Sequence, residues 1–262
     1  MKRYFKLFIA MFKIAWISNM EYRANFILGL TIDICWTIAD LIFFTVLMQN
    51  VQAIGSWTQA ETLIMVGLYR LLGVFVWGWM QPSFERIPTF INNGQLDLIL
   101  TKPIDSQFLL SFHQYSMNLV SSLVGGIVMI AVGLSLRGGL PSLPVFILFC
   151  WVFLVSIFLA YGVYFLTMTV SLFVDRLNNI VYLFQSMYDT ARYPREIYGY
   201  VMQRMMISVV PLALMIGMSS DVLFGRASLG FLVWFHLLAI GFFFLGRSVW
   251  KVGLRRYSSA SS

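Results

Sequence analysis

Two carboxylates and one guanidinium stand inside apolar runs, where ionised groups are costly. Asp33 and Asp40 are seven residues apart, which puts both on one helix face with Thr37 between them. An acidic or basic group at mid-membrane costs about +2.5 to +3.5 kcal/mol on insertion scales, so each needs a protein partner or a wet cavity. Arg70 poses the same problem in the next apolar run. Counted from the outer ends of the two runs, Asp40 lies eight residues before Met48 and Arg70 eight after Thr62. An antiparallel hairpin would set them at one depth. The spacing predicts an Asp40–Arg70 ion pair and leaves Asp33, nearer the cytoplasm, free to meet a cationic substrate. A purely structural role for all these residues is the competing reading.

The elements that must position them are apolar stretches, set against the roughly 20 residues that a spanning helix needs. They run over Ala24–Met48, Thr62–Met80, Tyr115–Leu136, Leu143–Phe173, Leu177–Tyr188, which is short for a span, and Leu229–Val249. Together they predict an all-α polytopic membrane protein, a single domain over 1–262 with six transmembrane helices, one of them irregular. Gly125, Gly126 and Gly133 in the third would allow close helix contact. Ahead of the first span, Lys2, Lys6 and Lys13 share one helix face while Phe5, Phe8, Phe12 and Trp16 share another. That pattern predicts an amphipathic helix over 1–20 lying in the cytoplasmic interface, with a simple extension of the first span as the alternative. Lys13 interrupts the apolar run and no small-x-small site follows, so the segment is expected to be retained rather than cleaved as a signal peptide.

Composition agrees: 60% of the 262 residues are hydrophobic and 11% charged, with mean hydropathy +0.81. A soluble domain would carry about a quarter charged residues, so a water-soluble enzyme is excluded, as is a disordered chain. The net charge of +7 reads as positive-inside bias and not as nucleic-acid binding. Lys and Arg gather at the N-terminal segment and the C-terminal tail, which predicts cytoplasmic termini and a cytoplasmic loop over 81–111; the expected location, a bacterial inner membrane, does not come from these counts. One region resists the rule. Residues 189–226 hold Arg192, Arg195, Arg204 and Arg226, yet six spans would place them outside. Interrupted by Pro194 and Pro211, they read as a pair of short helices dipping back into the outer leaflet and joined near Pro211. The alternative is that 177–188 fails to span and the region is cytoplasmic. Cys35, Cys150, His113 and His236 lack the spacing and companions of a metal site.

Within 81–111, Pro82, Ser83 and Glu85 suit a helix start and Asn93-Gly94 a helix stop. A short helix exposing Phe84, Ile87, Phe90 and Ile91 would be built to dock something; the plain alternative is a loop helix lying on the bilayer. The run Asn93-Gly94-Gln95-Leu96-Asp97, continuing to Thr101-Lys102-Pro103, resembles the loop of type-2 ATP-binding-cassette permeases, where Gly-x-Leu-acid precedes Thr-x-Pro. Tyr193-Pro194 through Pro211, then Leu223-Phe224-Gly225-Arg226, is similar to that family's re-entrant helices before the last span. The resemblance covers essentially the whole chain and is closest to a subgroup of this length often encoded in pairs. It implies an exporter permease whose coupling helix, with Phe84, Glu85, Ile87, Phe90, Ile91, Gly94 and Asp97, docks on a separate ATPase subunit. It further implies two such ATPases carrying Mg-ATP, a second permease, identical or paralogous, and a pathway lined by the first, second and fifth helices. None of the five lysines lies in a Gly-x-x-x-x-Gly-Lys-[Ser/Thr] loop, so this chain is expected to bind no nucleotide or other cofactor and to be no enzyme. Helices rich in Met and Phe suit an amphipathic or lipid-like cargo, and Asp33 favours a cationic one. Lipid or glycan export, a nucleotide-independent channel and a membrane enzyme are the alternatives.

Overall fold

Residues 2–21, 23–50, 57–116, 119–173, 180–208 and 211–257 are described by a computed structural model, and they are helical almost throughout. In chain order come α1 (Lys2–Glu21), α2 (Arg23–Asn50) and α3 (Gln59–Phe75), the last continuing through a π turn at Val76–Met80. Four short helices follow: α4 (Gln81–Phe84), α5 (Arg86–Asn92), α6 (Leu96–Leu100) and α7 (Ser106–Ser111). Then come α8 (Leu119–Arg137) and α9 (Leu143–Thr169), with α10 (Ile180–Thr190), α11 (Tyr200–Ser208), α12 (Leu212–Leu223) and α13 (Leu229–Arg256) closing the chain.

Among the described residues four helical stretches are long and apolar enough to cross a membrane: Ala24–Leu47, Gln59–Asn92, Leu143–Leu172 and Leu229–Arg256. The apolar stretches Ser122–Arg137 and Ala213–Leu223 are shorter. The expected third span therefore begins later than Tyr115. Chain around that residue is tied elsewhere, since the Tyr115 carbonyl accepts from Asn19 Nδ2 at 3.0 Å and the Ser116 N–H donates to the Gly78 carbonyl at 2.7 Å. The expected fifth span lies partly outside the described residues, and α10, at 11 residues, is only about 16 Å long. That is half the hydrocarbon thickness.

Helix α3 starts on a capping box, Thr58 accepting from the Glu61 N–H while the Glu61 carboxylate accepts from the Thr58 N–H. The helical stretch then continues through the π turn into α4, which carries Pro82 in its first turn, and past a turn at Glu85 into α5, ending at Asn92. Proline cannot donate to the carbonyl four residues back. Here that carbonyl belongs to Gly78 and is taken by Ser116, while the wider π turn carries the helix past the ring. At 34 residues the stretch measures about 50 Å, so one end must project beyond the hydrocarbon.

Packing follows small residues and rings. Helices α3 and α8 lie close enough that a Cβ at Gly133 would fall 2.5 Å from Ile64 Cγ1, and one at Gly126 2.9 Å from the Gly67 carbonyl oxygen. Helix α9 is sandwiched between α12 and α13, and its Tyr164 and Phe165 join Phe84, Phe184, Tyr188 and Trp250 in the central core. Helix α2 is the exception. It touches its neighbours along one narrow strip and leaves Ile27, Ile32, Trp36, Ile38, Ile42 and Val46 exposed.

Candidate functional site

The ionised groups inside the apolar runs meet in one network. Arg70 donates to Asp40 Oδ2 from Nε at 3.1 Å and from Nη2 at 2.9 Å, and both residues are buried. The pair forms where the depth count places it. Asp33 is not left free, however: Arg70 Nη1 lies 3.5 Å from its Oδ1, and Ser122 of α8 donates to its carboxylate at 2.8 Å. Arg192 completes the set, donating to Asp40 Oδ1 at 3.3 Å and lying over the Tyr69 ring, whose hydroxyl donates to Asp189. Two carboxylates thus face two guanidiniums, and the quartet is neutral as a whole. Thr37 contributes packing: its hydroxyl donates to the Asp33 carbonyl at 2.9 Å and its methyl lies against Gly125.

Two further arginines of 189–226 find acids by the same principle. Arg195 pairs with Asp221 at 3.3 Å, and Arg226 with Glu61 at 2.7 Å, its guanidinium over the rings of Trp57 and Phe224. Short helices α11 and α12 form on either side of Pro211, with Pro211 as the residue that opens α12. Tyr193 packs on Phe44 of α2, and Pro194 leads into a single 3-10 turn at Arg195–Ile197. Sequence reasoning passed over Glu61, Asp189 and Asp221. Thr58-Gln59-Ala60-Glu61 is a readable capping signature that could have flagged the first; no local pattern marks the others.

The stretch 81–111 corrects one expectation outright. Phe84 and Ile87 are fully buried and Phe90 nearly so, while Ile91 is half-buried. The physical reason lies in α9: the Phe84 ring sits edge-on among Tyr161, Tyr164 and Phe165, so its apolar stripe is covered by the same chain. Glu85 is also engaged, accepting from Gln81 Nε2 at 2.7 Å and from the Tyr164 hydroxyl at 3.2 Å. What faces outward is mostly polar: Arg86, Thr89, Asn92, Asn93 and Gln95, with Leu98 67% exposed at their edge. Gly94 takes φ +68°, which lets the chain reverse between α5 and α6, and Asp97 stands half-buried in the first turn of α6.

Titratable groups in this layer are tuned by what they touch. Arg247 of α13 donates to Asp105 and holds its carboxyl below the usual range. His113 is exposed at one edge, but partial desolvation against Phe90, whose ring it meets edge-on at 5.3 Å, with Arg86 and Lys102 nearby, lowers it from its ordinary value near 6.5.

Between α2, α3 and α4 lies a cavity of about 660 Å³ lined by Asp33, Trp36, Trp77 and Glu85 together with Gln81 and Ser122. It combines two carboxylates with two indole rings, the chemistry suited to an organic cation. Asp40, Arg70 and Thr37 stand outside it. No group of three or more His, Cys, Asp or Glu residues among those described is placed to hold a metal.

No curated protein matches the chain. The sequence profile described as ABC-2 family transporter protein matches residues 34–261, which takes in Asp40, Arg70 and Arg192 of the charge quartet, though not Asp33, and the helical stretch 81–111. This chain therefore belongs to the ABC-2 transporter family of membrane proteins.

Proposed function

We propose that the chain is the transmembrane permease subunit of an ATP-driven exporter that moves an amphipathic, cationic small molecule out of the cytoplasm or the inner leaflet. Family membership carries the reading, together with a sequence that has no phosphate-binding loop of its own. ATP is then hydrolysed by two partner ATPase subunits with Mg²⁺, and a second permease, identical or paralogous, completes the pathway. The polar outer face of α5 and α6 is the surface on which the ATPase docks, and buried Phe84, Ile87 and Phe90 transmit its motion into α9 rather than touching the partner. Because α3, the π turn, α4 and α5 follow one another in a single helical stretch from Gln59 to Asn92, a push at α5 is carried towards Arg70. The cargo preference rests on the Asp33–Trp36–Trp77–Glu85 cavity, since carboxylates and indole faces both favour a lipophilic cation over a neutral or anionic one.

Purification in mild detergent from the native membrane tests this reading. It expects an ATPase subunit in stoichiometric amount, with Mg-ATP hydrolysis that tetraphenylphosphonium stimulates. Asn92→Trp and Leu98→Asp, both on the exposed face, should lower ATPase recovery at least several-fold without changing the melting temperature of the permease. Trp77→Ala should abolish the stimulation while leaving basal hydrolysis. A stable preparation with no ATPase would sink the exporter reading.

A further inference from the structure

Most acids in this chain are balanced by an arginine. Asp33, Asp40, Glu61, Asp105, Glu196 and Asp221 are each ion-paired in that way. Glu85 is different, since no lysine, arginine or histidine among the described residues pairs with it. Its side chain accepts from neutral groups, the Gln81 amide at 2.7 Å and the Tyr164 hydroxyl at 3.2 Å, and both bonds land on Oε1. Tyr164 is fully buried and its ring stacks on Phe184 at 3.8 Å, so that oxygen is held in place. Oε2 accepts from no described residue. It also keeps accessible surface, because the buried side-chain atoms without partners are those of Tyr115, Arg192, Arg195 and Tyr257. The carboxylate is therefore open on one side.

Glu85 lines the cavity of about 660 Å³ with Asp33, Trp36, Trp77, Gln81 and Ser122. The charges around that cavity do not cancel. Asp33 is offset by Arg70 at 3.5 Å, and Asp33, Asp40, Arg70 and Arg192 are neutral as a set. The excess is one negative charge, and it sits on Glu85. A half-buried carboxylate without a counter-charge is costly, and an entering cation relieves it. Trp36 and Trp77 offer that cation ring faces. Asp33 offers less, because a cation there competes with Arg70 and with the Ser122 hydroxyl at 2.8 Å.

We infer that Glu85 determines the specificity of this cavity: it takes the positive charge of a monovalent lipophilic cation, while Asp33 positions Arg70. That the cation is cargo rests on the exporter reading; its binding at Glu85 does not. A second positive charge on the ligand gains nothing, since no second carboxylate of the cavity is unbalanced.

Equilibrium dialysis of tritiated tetraphenylphosphonium against the purified full-length protein, with no nucleotide added, tests the assignment. The protein should bind this cation saturably and at least tenfold more tightly than triphenylphosphine oxide, which keeps three rings but no net charge. Glu85→Gln retains an acceptor for Gln81 and Tyr164, so its melting temperature should hold. Its affinity for tetraphenylphosphonium should fall at least tenfold, and that for the oxide should stay as it was. Asp33→Asn should lose less affinity than Glu85→Gln. Decamethonium should compete no better than decyltrimethylammonium. A second measurement needs no substitution: tetraphenylphosphonium should slow modification of Glu85 by dicyclohexylcarbodiimide several-fold, read by peptide mass spectrometry, and leave Asp97 unchanged. No saturable binding, unaltered affinity in Glu85→Gln, an equal or larger loss in Asp33→Asn, or no protection of Glu85 would overturn the assignment. Tighter binding of decamethonium would overturn the single charge. Recovery of an ATPase is read separately, so the exporter reading stands or falls without these outcomes.

Discussion

Each charge in the quartet has a partner of opposite sign on another element, and that decides how it responds to mutation. Exchanging the pair, Asp40→Arg with Arg70→Asp, would set an arginine against Arg192 and an aspartate against Asp33. Such a swap is expected not to rescue. Neutralising one acid and one base together keeps the balance. We expect Asp40→Asn and Arg192→Gln each to lower stability, Asp40→Asn by about 3–5 kcal/mol if the pair behaves as buried pairs do. The double variant should lose less than the sum of the two, and a double-mutant cycle of detergent melting measures the coupling. His113 makes a pH prediction. Its folded pKa lies below its unfolded one, so the unfolded chain takes up a proton first as pH falls. Stability should therefore drop as pH falls below 6.5, levelling off beneath the folded value. His113→Gln should flatten that part of the melting-temperature profile.

At the scale of elements, α3 is the member on which the others depend. It meets α8 through glycines, and no rotamer change relieves a Cβ at Gly133 that lies 2.8 Å from the Ala60 carbonyl oxygen. Gly133→Val should cost about 1–3 kcal/mol or more, read as a lowered melting temperature, and move Ile64. Gly139→Val meets nothing within 4 Å and should be neutral. Glycines in an apolar helix signalled this contact in the sequence. The stripe Phe84, Ile87, Phe90 was equally visible, but an apolar stripe says only that something covers it. Here α9 does, so Phe84, Ile87 and Phe90 are not exposed as expected, and the sequence could not show it because the covering residues Tyr161 and Tyr164 lie more than seventy positions downstream.

For the whole molecule, the arginines of 189–226 bear on which side of the membrane that region faces. Three of them are neutralised by Asp40, Asp221 and Glu61, so they weigh less in the positive-inside balance than their number suggests. We expect the outer placement to hold. In a Cys35→Ser/Cys150→Ser background, Val201→Cys on α11 should react with a membrane-impermeant maleimide in intact cells. Thr101→Cys, between α6 and α7, should react only after permeabilisation. The reverse pattern would put 189–226 with the termini.

What the sequence determined by itself was the class of solvent and the need for partners. Hydropathy made the chain a helical membrane protein, and the cost of charge in hydrocarbon required Asp40 and Arg70 to find each other at equal depth. Local patterns could also be read, such as the stop at Asn93-Gly94 and the break at Pro211, because backbone geometry there depends on one or two residues. Only the tertiary structure decided which faces were covered and by what. Ser122 on Asp33, α9 over Phe84 and the distant acids beneath Arg195 and Arg226 are contacts between segments remote in the chain. No periodicity encodes them, and they form because burying each group alone would cost more than bringing the segments together.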